Sequence, residues 1–424
     1  MRTFTLACSS LALIAATAGS ALAQEDVTAW RLFVSDHAEP VVHVLDALDG
    51  DVLATFEIDG PATLYASESG ESVYAVQGDA NRVTAISTGI AFADHGDHAD
   101  IDVDDPRLTG VEIEGDYPVH FVEHHGQWAA FFDNEGLARV FSEHDALEGE
   151  AEVREVQSGA PHHGVVIAYG DYDLVSEPHP EDPSNLPVGI KVLDRSGEQV
   201  GELAACPDLH GEAASGNLTA FACETGLLVV TASAGGAPSI THLPYADSLP
   251  EGKATTLIGG RGLQYFLGNY GASAVVLIDP SEDDAFRLVE LPTRRVHFAV
   301  DPVRARFAYI FTEDGKLHQL DVLAGEIVNA IQVTGPYSMD GSWADPRPRV
   351  AVAGENIVVT DPLESRLLLI DAASFEPAGE IALEGTPFNI VAVGGTGTVH
   401  GDDHDHEHDH DHDHDHDEDD HDHE

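Results

Sequence analysis

Four histidines share one position in a recurring phrase. His120, His163, His210 and His297 close PVH, PHH, DLH and RVH, each at the head of a sequence repeat. Neutral imidazole is a borderline ligand suited to Zn²⁺, and three imidazoles with a fourth oxygen or nitrogen complete a tetrahedral site. His120, His163 and His210 fall in neighbouring repeats, so a repetitive fold brings them closest. The candidates for a fourth ligand are His297, Glu123, Asp208 and Asp340. Imidazole sites hold several divalent ions, so these residue types alone leave zinc, nickel and copper open.

Two other segments carry the same chemistry in a looser form. FADHGDHADIDVDD sets His95 and His98 among carboxylates, a weaker and exposed metal site or a solvated acidic loop. The last 25 residues read HGDDHDHEHDHDHDHDHDEDDHDHE, in which His404, His406, His408, His410, His412, His414 and His416 alternate with acids. In an extended chain residues i and i+2 point the same way, about 7 Å apart, so imidazoles line one side and carboxylates the other. Overlapping ligand sets of this kind capture a cation in several registers and release it quickly. No packed core can be built from this composition, so residues 399–424 are expected to be a disordered metal-binding tail. Neighbouring carboxylates raise the histidine pKa, and metal is lost as pH falls and imidazole protonates.

The elements that position the four histidines follow from the repeats. An apolar-x-apolar-Asp phrase, then a turn and a second apolar alternation, recurs in VVHVLDALDGDVLATFEI, IKVLDRSGEQVGELAA, VVLIDPSEDDAFRLVEL, KLHQLDVLAGEIVNAIQV and LLLIDAASFEPAGEIAL. Asp46, Asp194, Asp279, Asp321 and Asp371 mark these copies, whose spacing fits a period of about 40–50 residues. The strands are short, alternate with period two and are punctuated by Gly, Asp and Pro turns. Nothing between Glu25 and Gly397 carries a sustained helical pattern. The expected fold is all-β, a β-propeller of eight blades with seven as the other possible count. TPFNIVAVGG supplies the innermost strand of the blade begun by RLFVSDH, so the two ends close in one blade. Aligned repeats place Thr63, His120, His163, His210, Gln264, His297, Asp340 and Asn389 in one polar ring around the channel. A water-filled channel is polar whatever it binds, but four histidines at one repeat phase need a further reason.

MRTFTLACSSLALIAATAGSALAQ opens with Arg2, runs apolar from Leu6 to Ala18 and ends on small residues before Gln24. That is the pattern of a cleavable signal peptide over residues 1–23, leaving a propeller over 24–398 exported to the periplasm. No other apolar stretch approaches the ~20 residues of a membrane helix. The two cysteines beyond the signal, Cys206 and Cys223, read as a disulfide in an oxidising compartment. Thiolate metal ligation is the other reading, and a lone pair at this spacing supports it poorly. The formal charge is −57, and the tail's eleven Asp and three Glu supply only fourteen of the 76 acidic residues. Such a field repels nucleic acid and anionic membrane and gathers cations. The sequence carries no Gly-x-Ser-x-Gly elbow, phosphate-cradling glycine loop, dinucleotide fingerprint or CxxCH, so the expectation is a binding protein and not an enzyme. A zinc-dependent hydrolase or lyase in the channel, and a metal store for zinc, nickel or copper, are the alternatives.

The signal segment, the acidic propeller, FADHGDHADIDVDD, YPVHFVEHHGQW and CPDLHGEAASGNLTAFACETG together resemble the AztD family of periplasmic zinc metallochaperones. The likeness runs through the whole propeller. It implies Zn²⁺ as the bound ion and direct transfer to the solute-binding protein of a zinc ABC importer, from a chain that is expected to be a monomer. Carried over by residue, it falls on His120, His163 and His210 as the structured site and on His95 and His98 as the family's His-rich loop. The chain departs from the family in carrying its long His-rich segment at the C-terminus instead of near the mature N-terminus.

Overall fold

The computed structural model of the protein describes residues 25–95, 99–233 and 236–399. The expected signal peptide, His98 and the His404–His416 tail lie outside them.

Eight sheets, each antiparallel within its blade, are arranged as an eight-bladed β-propeller. Seven are four-stranded, and each runs outward in sequence order from an innermost strand. The innermost strands of blades 1 to 7 are Thr63–Ala66, Pro118–His124, Val166–Tyr169, Glu212–Ser215, Leu257–Ile258, Arg295–Val300 and Val350–Ala353. Blade 8 takes its innermost strand, Pro387–Val399, from the C-terminal end and its second, Glu25–Asp36, from the N-terminal end. The two pair antiparallel from Glu25 opposite Val399 to Asp36 opposite Pro387. The ring therefore closes by hydrogen bonds between the two ends of the propeller, which leaves no open sheet edge at the seam.

The core lies between the blades. Blades 1 and 2 meet through Tyr74, Phe121, Trp128 and Phe141, all nearly or fully buried, with Phe121 stacked on Trp128 at 4.4 Å. Each interface is a pair of inward sheet faces with alternating side chains, which is why the sequence alternates with period two. The repeated Asp has a local cause. Asp46 accepts the backbone N–H of Leu48, Asp194 those of Ser196 and Glu198, and Asp321 those of Leu323 and Ala324. These are Asx turns that fold the chain from the third strand of a blade to the outer one.

Connections alternate between two faces. Turns from innermost to second strand and from third to outer strand lie on one face. Turns from second to third strand, and the links from one blade to the next, lie on the other, here called the entry face because each innermost strand starts there. Blade 1 has an excursion between its third and outer strands, the hairpin Ile90–Asp94 with Ala99–Val103. This hairpin joins the innermost strand of blade 8, with Asp100 paired parallel to Thr398. The hairpin and the end of the final described strand, Val399, therefore lie together on the face opposite the entry face.

The polar ring expected from the repeats is only partly continuous. Gln264 follows the innermost strand of blade 5 instead of lying in it, and Asp340 sits in the link ahead of Val350–Ala353. Blade lengths differ at these points, so a phrase alignment slips. Cys206 and Cys223 form the expected disulfide, Cα atoms 5.0 Å apart. It ties the link between blades 3 and 4 to the end of strand Leu218–Cys223. Closing a loop of this size contributes about 3 kcal/mol on the chain-entropy model. Replacing both cysteines by serine is expected to lower the unfolding free energy by about that amount, measured by urea denaturation monitored by tryptophan fluorescence. An unchanged midpoint would show that packing alone holds this link.

Candidate metal centre

Three of the four histidines come together. The rings of His120 and His163 are 4.6 Å apart between centroids, His163 and His210 5.3 Å, and His120 and His210 6.1 Å. His120 projects from the start of its innermost strand, while His163 and His210 lie in the links just before theirs. All three are therefore at the entry-face end of the channel, in consecutive blades.

Glycine permits this placement at two positions. A Cβ on Gly164 would stand 2.4 Å from His162 Nε2 and 2.6 Å from Phe131, so only glycine lets His162 turn inward while His163 faces the channel. His162 is buried, with Nδ1 donating to the Ala160 carbonyl and Nε2 bonded to Ser176, a satisfied core histidine. Gly211 has φ +95°, and a Cβ there would meet the Thr255 carbonyl oxygen at 2.7 Å. That same carbonyl accepts from His210 Nδ1 at 2.7 Å.

Each imidazole of the triad is held by its Nδ1. His120 Nδ1 donates to Glu212 Oε1 at 2.8 Å, and His163 Nδ1 donates to Asp133 Oδ2 at 2.7 Å. With His210 on Thr255, all three partners are acceptors, so each Nδ1 carries a proton and, in the neutral imidazole, each Nε2 has the lone pair. The Nε2 atoms of His120 and His163 are hydrogen-bonded at 3.1 Å, so without a metal the pair shares one further proton, which an incoming ion displaces. Two nitrogens on one tetrahedral zinc stand about 3.3 Å apart, since Zn–N is about 2.0–2.1 Å, and the ring centroids then fall about 5.2 Å apart. The observed separations bracket that value. Among the described residues no three ligating groups are already closed around one point; the wide His120–His210 pair is where the triad must tighten.

Electrostatics favour a cation here. Burial works against charge on His120, but Glu212 and then Asp133 outweigh it and hold its pKa above the ordinary imidazole value. Burial lowers the pKa of His210, with His120 and His163 adding to the effect against Thr255 and Glu212. Burial pushes Glu212 up, yet its contacts with His120, His210 and His163 bring it below the ordinary carboxylate range. A proton and a metal ion compete for the same Nε2 atoms.

His297, the fourth histidine of the expected channel site, is held differently from the triad. Its Nδ1 accepts a hydrogen bond from the Val350 backbone N–H at 3.0 Å. Burial, followed by the charges of Arg349 and Arg295, holds its pKa well below the ordinary value. A neutral imidazole whose Nδ1 accepts must carry its proton on Nε2, so it offers no lone pair to a metal. The three carboxylates suggested as a fourth ligand are also engaged elsewhere. Asp340 pairs with Arg294 at 2.8 Å, Asp208 pairs with Lys253, and Glu123 accepts the Glu68 and Gly126 backbone N–H groups. His95 lies on the opposite face, its Nε2 3.0 Å from Asp100 Oδ2. His124 stacks on Tyr169 at 4.3 Å, and burial lowers its pKa to about 4. Asp133, Glu212 and the Thr255 carbonyl were not singled out from sequence, because nothing distinguishes one more acid in so acidic a chain.

Changing any one of His120, His163 or His210 to Ala is expected to weaken zinc binding by more than about 100-fold, beyond the usual loss of an outer partner. His297→Gln should leave it unchanged. Competition titration against a chromophoric chelator measures both, and equal losses would remove the distinction. The pH dependence follows from the raised pKa of His120. Because its proton binds more tightly than that of a free imidazole, the apparent zinc affinity should begin to fall at a higher pH than it would for a free imidazole. The same titration repeated from pH 8 to 5.5 tests the sign.

No protein-family model matches the chain. The zinc chaperone AztD of Citrobacter koseri is 58% identical over 384 residues, covering 91% of each chain. A crystal structure of Citrobacter koseri AztD superposes with a TM-score of 0.87 at 58% identity, covering 88% of this chain and all of that one. The structure of apo AztD from the same organism gives 0.85 at 56% identity, with the same coverage. Identity at this level over nearly the full length of both chains carries the family as well as the fold: the chain belongs to the AztD family of zinc chaperones.

Proposed function

We propose that this protein is a periplasmic zinc metallochaperone that holds Zn²⁺ on His120, His163 and His210. In this reading it passes the ion to the solute-binding protein of a zinc ABC importer. The observation that carries the reading is the hydrogen-bond pattern of the triad, three Nδ1 donors that turn three Nε2 atoms toward one another at one mouth of the channel. Family membership supplies zinc as the ion. Three protein ligands leave the fourth tetrahedral position to water or to an incoming group.

That open position is what transfer requires. An acceptor imidazole or carboxylate enters the fourth site first, and the triad histidines then leave one at a time. Zinc is never stripped to a bare ion, and no covalent bond is broken. Ligand exchange, not hydrolysis, is the chemistry. The hairpin bearing His95 and the C-terminal tail gather zinc more weakly, and their acids and imidazoles exchange ions quickly. Residues 1–23 direct export and are removed, and the mature chain works as a monomer.

Zinc-loaded protein mixed with the zinc-binding protein of the importer should lose its metal faster than it does to a small chelator of equal affinity. Stopped-flow fluorescence of a zinc indicator measures the two rates. Equal rates would make the protein a buffer. Removal of residues 399–424 should leave the tight site and its transfer rate unchanged while lowering the number of weakly bound ions, counted by equilibrium dialysis.

A further inference from the structure

Orienting an imidazole does not require a charged partner. Within this site His210 is held by the neutral Thr255 carbonyl at 2.7 Å. His120 and His163 are instead held by the carboxylates of Glu212 and Asp133, whose side chains are only 11% and 12% exposed. Each carboxylate spends one oxygen on its imidazole. The other oxygens, Glu212 Oε2 and Asp133 Oδ1, are buried without a hydrogen-bond partner. Among the described residues their ion pairs are to His120 and His163, and none is to Lys or Arg. Two buried negative charges with unsatisfied oxygens are costly unless positive charge stands close by. The triad lies within one imidazole of both.

We propose that Glu212 and Asp133 determine the charge specificity of the site: their two negative charges match a divalent ion on the three Nε2 atoms and select it over a monovalent one. The proposal rests on the triad being the zinc site. Coulomb attraction is proportional to the charge of the bound ion. Removing a carboxylate charge therefore lowers the logarithm of affinity for a monovalent ion by half as much as for a divalent one. Cu⁺ is the informative competitor, because it also takes imidazole ligands and carries a single charge.

Glu212→Gln and Asp133→Asn keep the shape and an acceptor oxygen for Nδ1–H while removing the charge. Both are made in the full chain and titrated with Zn²⁺ against a chelator tight enough to keep the weaker surface sites empty. The same variants are then titrated anaerobically with Cu⁺ against a Cu⁺-specific chelator. Each variant is expected to lose roughly 10- to 100-fold in zinc affinity, and in Cu⁺ affinity only about the square root of that factor. Equal fold-losses for the two ions would show that the carboxylates act by orientation alone and would overturn the proposal, as would unchanged zinc affinity. The triple change of His120, His163 and His210 to Ala separates the two levels. Tight zinc binding that survives it overturns the site itself and this proposal with it. If the triple change abolishes binding but the carboxylate variants show no charge dependence, only this proposal fails. The thermal midpoint checks folding, and either carboxylate variant carries the test alone because each acts on a different imidazole.

Discussion

A neutral imidazole has one N–H and one lone pair, and whichever nitrogen donates to the protein leaves the other for a metal. That constraint sorts the histidines of this chain. In His120, His163 and His210 the Nδ1 atoms meet acceptors, and in His297 the Nδ1 meets a donor. Residue type and repeat phase are the same in all four. The neighbour of Nδ1 is what distinguishes them, and the proposed site follows that distinction.

The propeller serves this arrangement by placing equivalent atoms of successive blades around one axis. Closure of the ring between Glu25–Asp36 and Pro387–Val399 fixes the spacing of the innermost strands. The disulfide from Cys206 to Cys223 and the hydrogen bond from the His210 amide to the Ala222 carbonyl, 3.0 Å, pin the link that carries His210. Gly211 then lets Thr255 approach close enough to orient the ring. Stability and site geometry are thus supplied by the same few contacts in blade 4.

Much of this was legible in the sequence. The marker Asp residues set the repeat, because an Asx turn at the same point of each blade needs a short acceptor side chain. The eighth blade was readable from the apolar alternation at both ends. His120, His163 and His210 were visible through their shared phase. What was not legible lay in through-space neighbours. The Val350 N–H that engages His297 is 53 residues away in sequence, and Glu212 lies 92 residues from the imidazole it holds. No local pattern marks such pairs, and an excess of acids hides the two carboxylates that matter. Gln264 and Asp340 misled for another reason, since links of unequal length shift a phrase without shifting the strand.

The fold also separates the triad from the hairpin histidine in space. The triad opens on the face where innermost strands begin. The hairpin with His95 and the final strand leading to residue 400 end on the other. In the proposed function, gathering and holding are therefore distinct operations. The most direct measurement of the central claim is anomalous diffraction at the zinc edge from crystals of the zinc-loaded protein. The account predicts a single strong peak at about 2.0–2.1 Å from the Nε2 atoms of His120, His163 and His210. A peak ligated directly by Glu212 or Asp133 in place of these Nε2 atoms, or one beside His297, would contradict it.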